Sequence, residues 1–395
     1  MTELPPLRIL FLVGRDARHP AVGGGDLQAW EWARWCTERG HQVVLICQSH
    51  PSLPKVECLD GIRVLRLGTK IALALRAYRY YRRHAAEFDL VYEDPIGAGR
   101  SPYLSPVYSR VPVVAVWHQV SAPLLRALHG AVAGFAMSAV ERIVALMYRR
   151  CLLWVPSEER AAEIARDLGF DRSRIFVISP TVQPHAAPAN SVLSRPPTVL
   201  FLGVMRRYKS IEHVIRALPK VATQVAMVRL VVAGRRLDAT YEASLRALAT
   251  ELEVGDRVEF ILDVTESEKH ELLAAARVLV LPSLLEGFGI VALEADAVGT
   301  PIVASSGVPV AAVAHERNGL RFAYGDIEQL GEALVRLLSD DELAATCSSN
   351  GLAMVESFYP DAVGVEFNRL LTSALAHDHR RGAQFDKERE THAKT

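Results

Sequence analysis

The sequence predicts an α/β protein made of two doubly wound, parallel-sheet domains, and three observations carry that prediction. From Leu7 onward, short apolar runs that read as buried strands alternate with longer stretches of helical period, the pattern of a parallel sheet covered by helices on both faces. The alternation stops once, over TVQPHAAPANSVLSRPP between Thr181 and Pro197, where four prolines and no apolar period read as a linker, and then it restarts. At 395 residues, 50% of them hydrophobic and 23% charged, the chain has the length and apolar content for about two cores.

Taken in order, RILFLV reads as a strand, a glycine-rich loop follows, and DLQAWEWARWCTERG reads as a helix stopped by Gly40 before the strand QVVLIC. Further strands are predicted near IRVLRL, DLVYED, VVAVW, LLWVPS and RIFVIS, separated by helical stretches such as 71–86 and 123–150. After the linker, strands fall near TVLFLG, VRLVVAG, RVEFIL, RVLVLPS and PIVAS, with helices near 210–222, 240–253, 266–275 and 289–298. The first domain is thus assigned to 1–185 and the second to 195–358. The stretch from Pro360 to about residue 376 is amphipathic, and the polar 377–395 is expected to be a disordered tail.

Composition excludes several classes. Lys+Arg and Asp+Glu both number 45, giving a formal net charge of +0 and no global field toward nucleic acid. The cysteines, Cys36, Cys47, Cys58, Cys151 and Cys347, form no C-x-x-C pair and no even framework, which suits a reducing compartment, so the cytoplasm is expected. Glu3 and the short apolar run at Ile9–Val13 do not suit a signal peptide. ALHGAVAGFAMSAVERIVALMYRR is interrupted by Glu141 and Arg142 before it reaches the ~20 apolar residues of a spanning helix, so no crossing of a membrane is expected.

Three strand-to-helix loops are built to hold something, and in open parallel sheets such loops carry the ligand. In GRDARHPAVGGGD, Gly23, Gly24 and Gly25 clear the approach to a helix starting near Asp26, so a ligand can meet backbone N–H groups; a flexible surface loop is the alternative. In LPSLLEGFGIVALEADAVGTPIVAS, a Gly287-Phe288-Gly289 turn separates Glu286 from a helix carrying Glu294. The N–H groups of Gly289, Ile290 and Val291 are the unpaired donors of that helix's first turn and suit a diphosphate, while a carboxylate on each flank suits sugar hydroxyls. The plainer readings are a solvated loop acid at Glu286 and a first-turn Glu offsetting the dipole at Glu294. In FLGVMRRYKSIEH, Arg206, Arg207 and Lys209 gather before a helix, and Arg235 and Arg236 follow the next strand at the same predicted edge, as phosphate cations or as a solvated basic turn.

EGFGIVALE within its flanking strands, LGVMRRYKS, the early GGGD and VWHQ together resemble the retaining glycosyltransferase family GT4, of GT-B fold, over Leu7 to about Ala376. The resemblance implies two Rossmann-like domains facing a central cleft, an N-terminal acceptor domain on which the helix 360–376 packs back, and a C-terminal donor domain for a nucleotide-diphosphate sugar. It implies Glu286 at the donor sugar, Glu294 at the ribose, the amides around Gly289–Val291 and Lys209 on the diphosphate, and His118 toward the donor sugar. The catalytic candidates are then His118, Glu286 and Lys209. Those for donor binding are Gly24, Gly25, Arg206, Arg207, Gly287, Phe288, Gly289, Ile290, Val291 and Glu294. No metal or other cofactor is expected, since no Asp-x-Asp motif occurs.

The chain departs from the family pattern at Val204, where the family has Arg, leaving Arg206 and Arg207 as replacements, and also at Gln119 and Val310. A nucleotide-sugar-binding subunit without catalysis is the alternative function. The acceptor, whether glycan, lipid-linked sugar or small molecule, is open. Arg76, Arg79 and Arg83 with Tyr80, together with the apolar stretch ending at Arg150, either form an ordinary basic face and core helix or rest on an anionic membrane, a peripheral position at its inner face.

Overall fold

The computed structural model describes residues 4–95, 102–184 and 191–392. The chain divides at Thr181 into two units, one of Met1–Pro123, Val132–Thr181 and Val363–Thr395 and the other of Leu124–Ala131 and Val182–Ala362.

Through the first half the elements run β1 (Arg8–Leu12), α1 (Gly24–Glu38), β2 (Gln42–Cys47), β3 (Val56–Leu59), β4 (Ile62–Arg66), α2 (Lys70–His84), β5 (Leu90–Glu93), α3 (Ser105–Tyr108), β6 (Val113–Val116), α4 (Ala122–His129), α5 (Ala131–Tyr148), β7 (Leu152–Val155), α6 (Glu158–Leu168) and β8 (Ile175–Val177). The second half runs β9 (Thr198–Leu202), α7 (Ile211–Gln224), β10 (Arg229–Gly234), α8 (Ala239–Glu251), β11 (Val258–Leu262), α9 (Glu266–Ala275), β12 (Val278–Leu281), α10 (Ile290–Ala297), β13 (Ile302–Ser305), β14 (Gly319–Phe322), α11 (Ile327–Ser339) and α12 (Asp341–Val355). The chain then enters α13 (Pro360–His392).

In the first unit the strand order is β3-β4-β2-β1-β5-β6-β7-β8, parallel except for the β3–β4 hairpin. Burial of both faces explains why strands such as VVAV and LLWV are apolar at every position. On one face α1 and α13 meet through Trp32 and Phe367, whose rings stack at 4.1 Å. The other face is closed by Leu73, Ala77 and Tyr81 of α2 and by Val144, Ala145 and Tyr148 of α5. In the second unit the order β11-β10-β9-β12-β13-β14 makes β9 and β12 neighbours although they are three places apart in sequence order. That reversal is a topological switch point, where the loops leaving two adjacent strands diverge and open a crevice.

Several predicted boundaries move. β3, which pairs with the expected β4 as a hairpin, β14 and the helices α3, α6, α11 and α12 are additions to the elements expected from the sequence. The stretch 123–150 is two helices, because Gly130 at φ +87° ends α4. Of the predicted linker, 185–190 lies outside the described residues, and 191–197 is anchored within the second unit. There the buried Arg195 donates to Thr300 Oγ1 at 2.6 Å, Val298 O at 2.8 Å and Ala276 O at 3.0 Å. The expected disordered tail is instead helical to His392, as the continuation of α13. Beyond Ala376 the sequence offers no proline and several Ala, Gln, Glu, Lys and Arg, so a helix already nucleated against the sheet propagates at little cost.

By length and composition α5 is apolar enough to cross a membrane, with 28% of it buried. It nevertheless contributes Val144, Ala145 and Tyr148 to the core of the first unit.

Candidate active site

In the second unit the site grows from the C-terminal ends of β9, β12 and β13. After β9 the chain makes a single turn over Arg207–Lys209 before α7 begins. The loop after β12 is tied to that turn by Leu284 N–H donating to Tyr208 O at 2.8 Å, and to the loop after β13 by Glu286 N–H donating to Gly307 O at 3.0 Å. Ser305 Oγ donates to Ser283 O at 2.5 Å from the same side. Three loops from three adjacent strands are therefore stitched into one rim.

On this rim Lys209 Nζ meets Glu286 Oε1 at 2.5 Å, with the side chains 17% and 12% exposed. Ser283 Oγ donates to the same carboxylate oxygen at 2.6 Å. Burial alone would lower the Lys209 pKa, but the Glu286 charge and the hydrogen bond to it outweigh that and raise it, so the ammonium stays charged. The plainer reading of Glu286 as a solvated loop acid does not hold.

The loop ends at Gly289, whose φ of +99° only glycine adopts without strain, and α10 starts there. Among the described residues the N–H groups of Gly289, Ile290 and Val291 have no acceptor, as the sequence predicted. Phe288 is different: its ring is buried against Phe358, so only its backbone is available to a ligand.

Glu294 is the fifth residue of α10, in the second turn, so it is not a first-turn acid offsetting the dipole. It pairs with Lys269 Nζ of α9 at 2.8 Å, and Lys269 also meets Glu266 at 2.6 Å. Sequence reasoning missed Lys269, since an i,i+3 pair with Glu266 explains it fully until the fold brings α9 beside α10. The two arginines also separate. Arg206 is close enough to Lys209 for its charge to oppose Lys209 protonation. Arg207 lies over the Tyr241 ring at 5.3 Å and acts on Asp238 instead.

Beneath the rim, α10 itself carries a buried acid. Asp296 accepts from Asn318 Nδ2 at 2.8 Å, and burial pushes its carboxyl well above the usual range. A raised folded-state pKa means that the folded protein holds a proton the unfolded chain releases, so stability falls as pH rises above the unfolded value, ~3.9. Asp296→Asn, which mimics the neutral acid, is expected to raise the melting temperature at pH 8 and to lose that advantage as pH falls to 4. Thermal denaturation over that range checks it, and a pH-independent difference would refute it.

In the first unit the glycine loop and His118 come together. Gly24 and Gly25 open α1, and a Cβ placed on Gly25 would sit 2.8 Å from His118 Nε2, so a side chain there would have to displace the imidazole ring. The loop is held by Asp26, which accepts from Gly23 N–H at 3.1 Å and Arg15 N–H at 3.1 Å, and by the bidentate, fully buried pair of Arg66 with Asp16 at 2.8 and 2.9 Å. The His118 ring stands edge-on to Trp154 at 5.7 Å, and its buried Nε2 has no hydrogen-bond partner. An unpaired buried ring nitrogen is costly. Among the described residues the N–H groups of Gly24 and Gly25 likewise have no acceptor.

Known proteins place the chain. Residues 22–185 match the profile described as Glycosyltransferase Family 4, and residues 185–354 match that described as Glycosyl transferases group 1. The chain belongs to glycosyltransferase family 4. Similar curated members include the D-inositol 3-phosphate glycosyltransferase of Corynebacterium efficiens, 27% identical over 80% of this chain and 78% of that one. The protein of the same name from Xylanimonas cellulosilytica is 28% identical over 85% and 88%. Among solved structures, sucrose-phosphate synthase from Thermosynechococcus elongatus superposes with a TM-score of 0.77 at 21% identity, covering 94% of this chain and 100% of that one. Anabaena HepE in complex with UDP-glucose gives 0.73 at 19%, covering 93% and 99%. These structures share the GT-B fold, and this family 4 member is a glycosyltransferase.

Proposed function

We propose that this glycosyltransferase moves a sugar from a nucleoside diphosphate sugar to an acceptor hydroxyl with retention of anomeric configuration. The observation that carries the reading is the Lys209–Glu286 pair at the switch point of the second sheet, beside the open N-terminus of α10. Departure of the nucleoside diphosphate places growing negative charge on a phosphate oxygen. Lys209, the N–H groups of Gly289, Ile290 and Val291 and the α10 dipole are preorganised cations and donors for it. Arg206, which acts electrostatically on Lys209, is the candidate second cation in place of Val204.

In this reading Glu286 accepts hydroxyl hydrogen bonds from the donor sugar, and Glu294 takes the ribose hydroxyls while Lys269 holds its carboxylate in place. His118 supplies its unpaired Nε2 to the substrate. The charge is carried by the protein itself, so turnover is expected to survive EDTA.

HepE was solved with UDP-glucose, and the curated relatives are named for an inositol phosphate. UDP-sugars and phosphorylated polyols therefore head the donor and acceptor panels. The test is a thermal-shift screen over UDP-, GDP-, ADP- and TDP-sugars followed by turnover with the stabilising donor, the product's anomeric configuration being read by NMR. One donor is expected to raise the melting temperature, since a ligand at 100 times its Kd stabilises by about 2.7 kcal/mol. Glu294→Gln is expected to shrink that shift without lowering the melting temperature of the free protein. No response to any nucleotide sugar, or inversion at the anomeric carbon, would overturn the proposal.

A further inference from the structure

The outer face of α5 inverts the usual amphipathic design. The core-facing stripe holds Glu141, Val144, Ala145 and Tyr148, whereas the side turned to solvent carries Val132, Phe135, Val140, Ile143, Leu146 and Met147. Val132 is 84% exposed and Phe135 75%. The single acid between Ala131 and Tyr148 is Glu141, and it is turned inward, accepting the N–H groups of Ser121 at 2.7 Å and Ala122 at 3.1 Å. The exposed side of the helix is therefore apolar and free of acids. Arg142 lies on its flank, and Arg149 and Arg150 are exposed immediately beyond its end. The nearby Asp167 is already paired with Arg166 at 2.7 Å.

A second helix on the same sheet face repeats the pattern. α2 packs on the same sheet face, contains no acid from Lys70 to His84, and exposes Ile71 and Leu75 beside Arg79, Arg82 and Arg83. α2 and α5 thus combine exposed apolar side chains with cations alone, while the acids of α6 on the same sheet face are largely neutralised, Glu158 by Arg172, Glu163 by Arg160 and Asp167 by Arg166. That charge inventory selects the occupant. A second copy of the chain docking face to face would set arginines against arginines, whereas an anionic bilayer offers an apolar layer under a negative surface.

We infer that this face of the first unit docks on an anionic lipid surface, with α5 lying in the plane of the headgroups. The apolar side chains enter the acyl boundary, and Arg142, Arg149 and Arg150 meet the lipid phosphates. Spanning is excluded by the inner stripe, which is committed to the core of the unit. The inference is independent of the donor and the reaction chemistry, because it concerns adsorption alone.

The test is co-sedimentation of the full chain with vesicles of phosphatidylcholine alone and of phosphatidylcholine mixed with phosphatidylglycerol. Binding is expected to the mixed vesicles and to weaken as salt is raised. The triple substitution Val132→Ser, Phe135→Ser and Ile143→Ser changes only exposed side chains. It is expected to cut binding by at least about tenfold, because it removes apolar side chains that enter the acyl boundary. Arg149→Gln with Arg150→Gln is expected to cut it by about thirtyfold, at ~1 kcal/mol per arginine. No binding to the anionic vesicles, or equal binding by the triple variant, would overturn the inference. So would a wild-type dimer in light scattering that the triple variant converts to monomer, which would assign the face to self-association.

Discussion

Lys209→Ala is expected to lower turnover by about 10²–10³-fold, roughly 2.7–4 kcal/mol of transition-state stabilisation, while the protein stays folded. Lys209 is tied to Glu286 at 2.5 Å and stays charged, so under the proposed function a donor diphosphate meets a cation already in place. Loss of such a group costs most when negative charge peaks, so the fall belongs to kcat more than to KM. Folding is expected to survive because the Glu286 carboxylate keeps Ser283 Oγ at 2.6 Å and some access to water.

Glu286→Gln is expected to reduce turnover comparably, with a second signature. The Glu286 charge is what overcomes the effect of burial on Lys209. Without it the lysine pKa falls, and the alkaline limb of the residual activity moves to lower pH. Steady-state kinetics across pH 6–10 on both variants, with circular dichroism as the control for folding, checks this. Wild-type kcat in both variants would remove Lys209 and Glu286 from the reaction.

Where the sequence was readable, one strand or one turn was enough. Fully apolar VLVL followed by Gly-Phe-Gly announces a buried strand and a close backbone approach, and the structure sets β12 and a left-handed Gly289 there. Gly25 and His118 lie 93 positions apart in the sequence, and their contact follows from a parallel sheet whose loops all leave at one edge. What the sequence hid depends on tertiary juxtaposition. Lys269 reads as a partner of Glu266 because i,i+3 pairs are visible in one dimension and helix neighbours are not. The buried Asp16–Arg66 pair, 50 residues apart, reads as two ordinary charges. The tail beyond Ala376 departs from its reading because polarity signals disorder only where no preceding helix supplies the nucleus.

Gly307→Ala is expected to destabilise the second unit and to disable the site together. A Cβ on Gly307 would stand 2.3 Å from Leu284 O and 2.5 Å from Ser283 O. Both are backbone atoms, so no rotamer change relieves the clash, and the loop after β12 must move. Overpacking of this kind costs typically ~1–3 kcal/mol, and in a unit of this size about 2–4 °C of melting temperature accompanies each kcal/mol. The displaced segment holds Ser283 and Glu286, and the Glu286 N–H to Gly307 O bond is strained in the same movement. Activity per folded molecule is thus expected to fall as well, which separates this substitution from simple loss of stability. Gly331→Ala is the matched control: it lies inside α11, and the nearest atoms to its new Cβ are Lys220 Cδ at 3.7 Å and Ala217 Cβ at 3.9 Å, an ordinary contact. There alanine removes the helix cost of glycine and is expected to stabilise by ~0.5–1 kcal/mol with activity unchanged. Melting temperatures and specific activities of the two variants decide the matter. If Gly307→Ala keeps full activity at wild-type stability, the loop after β13 does not brace Glu286.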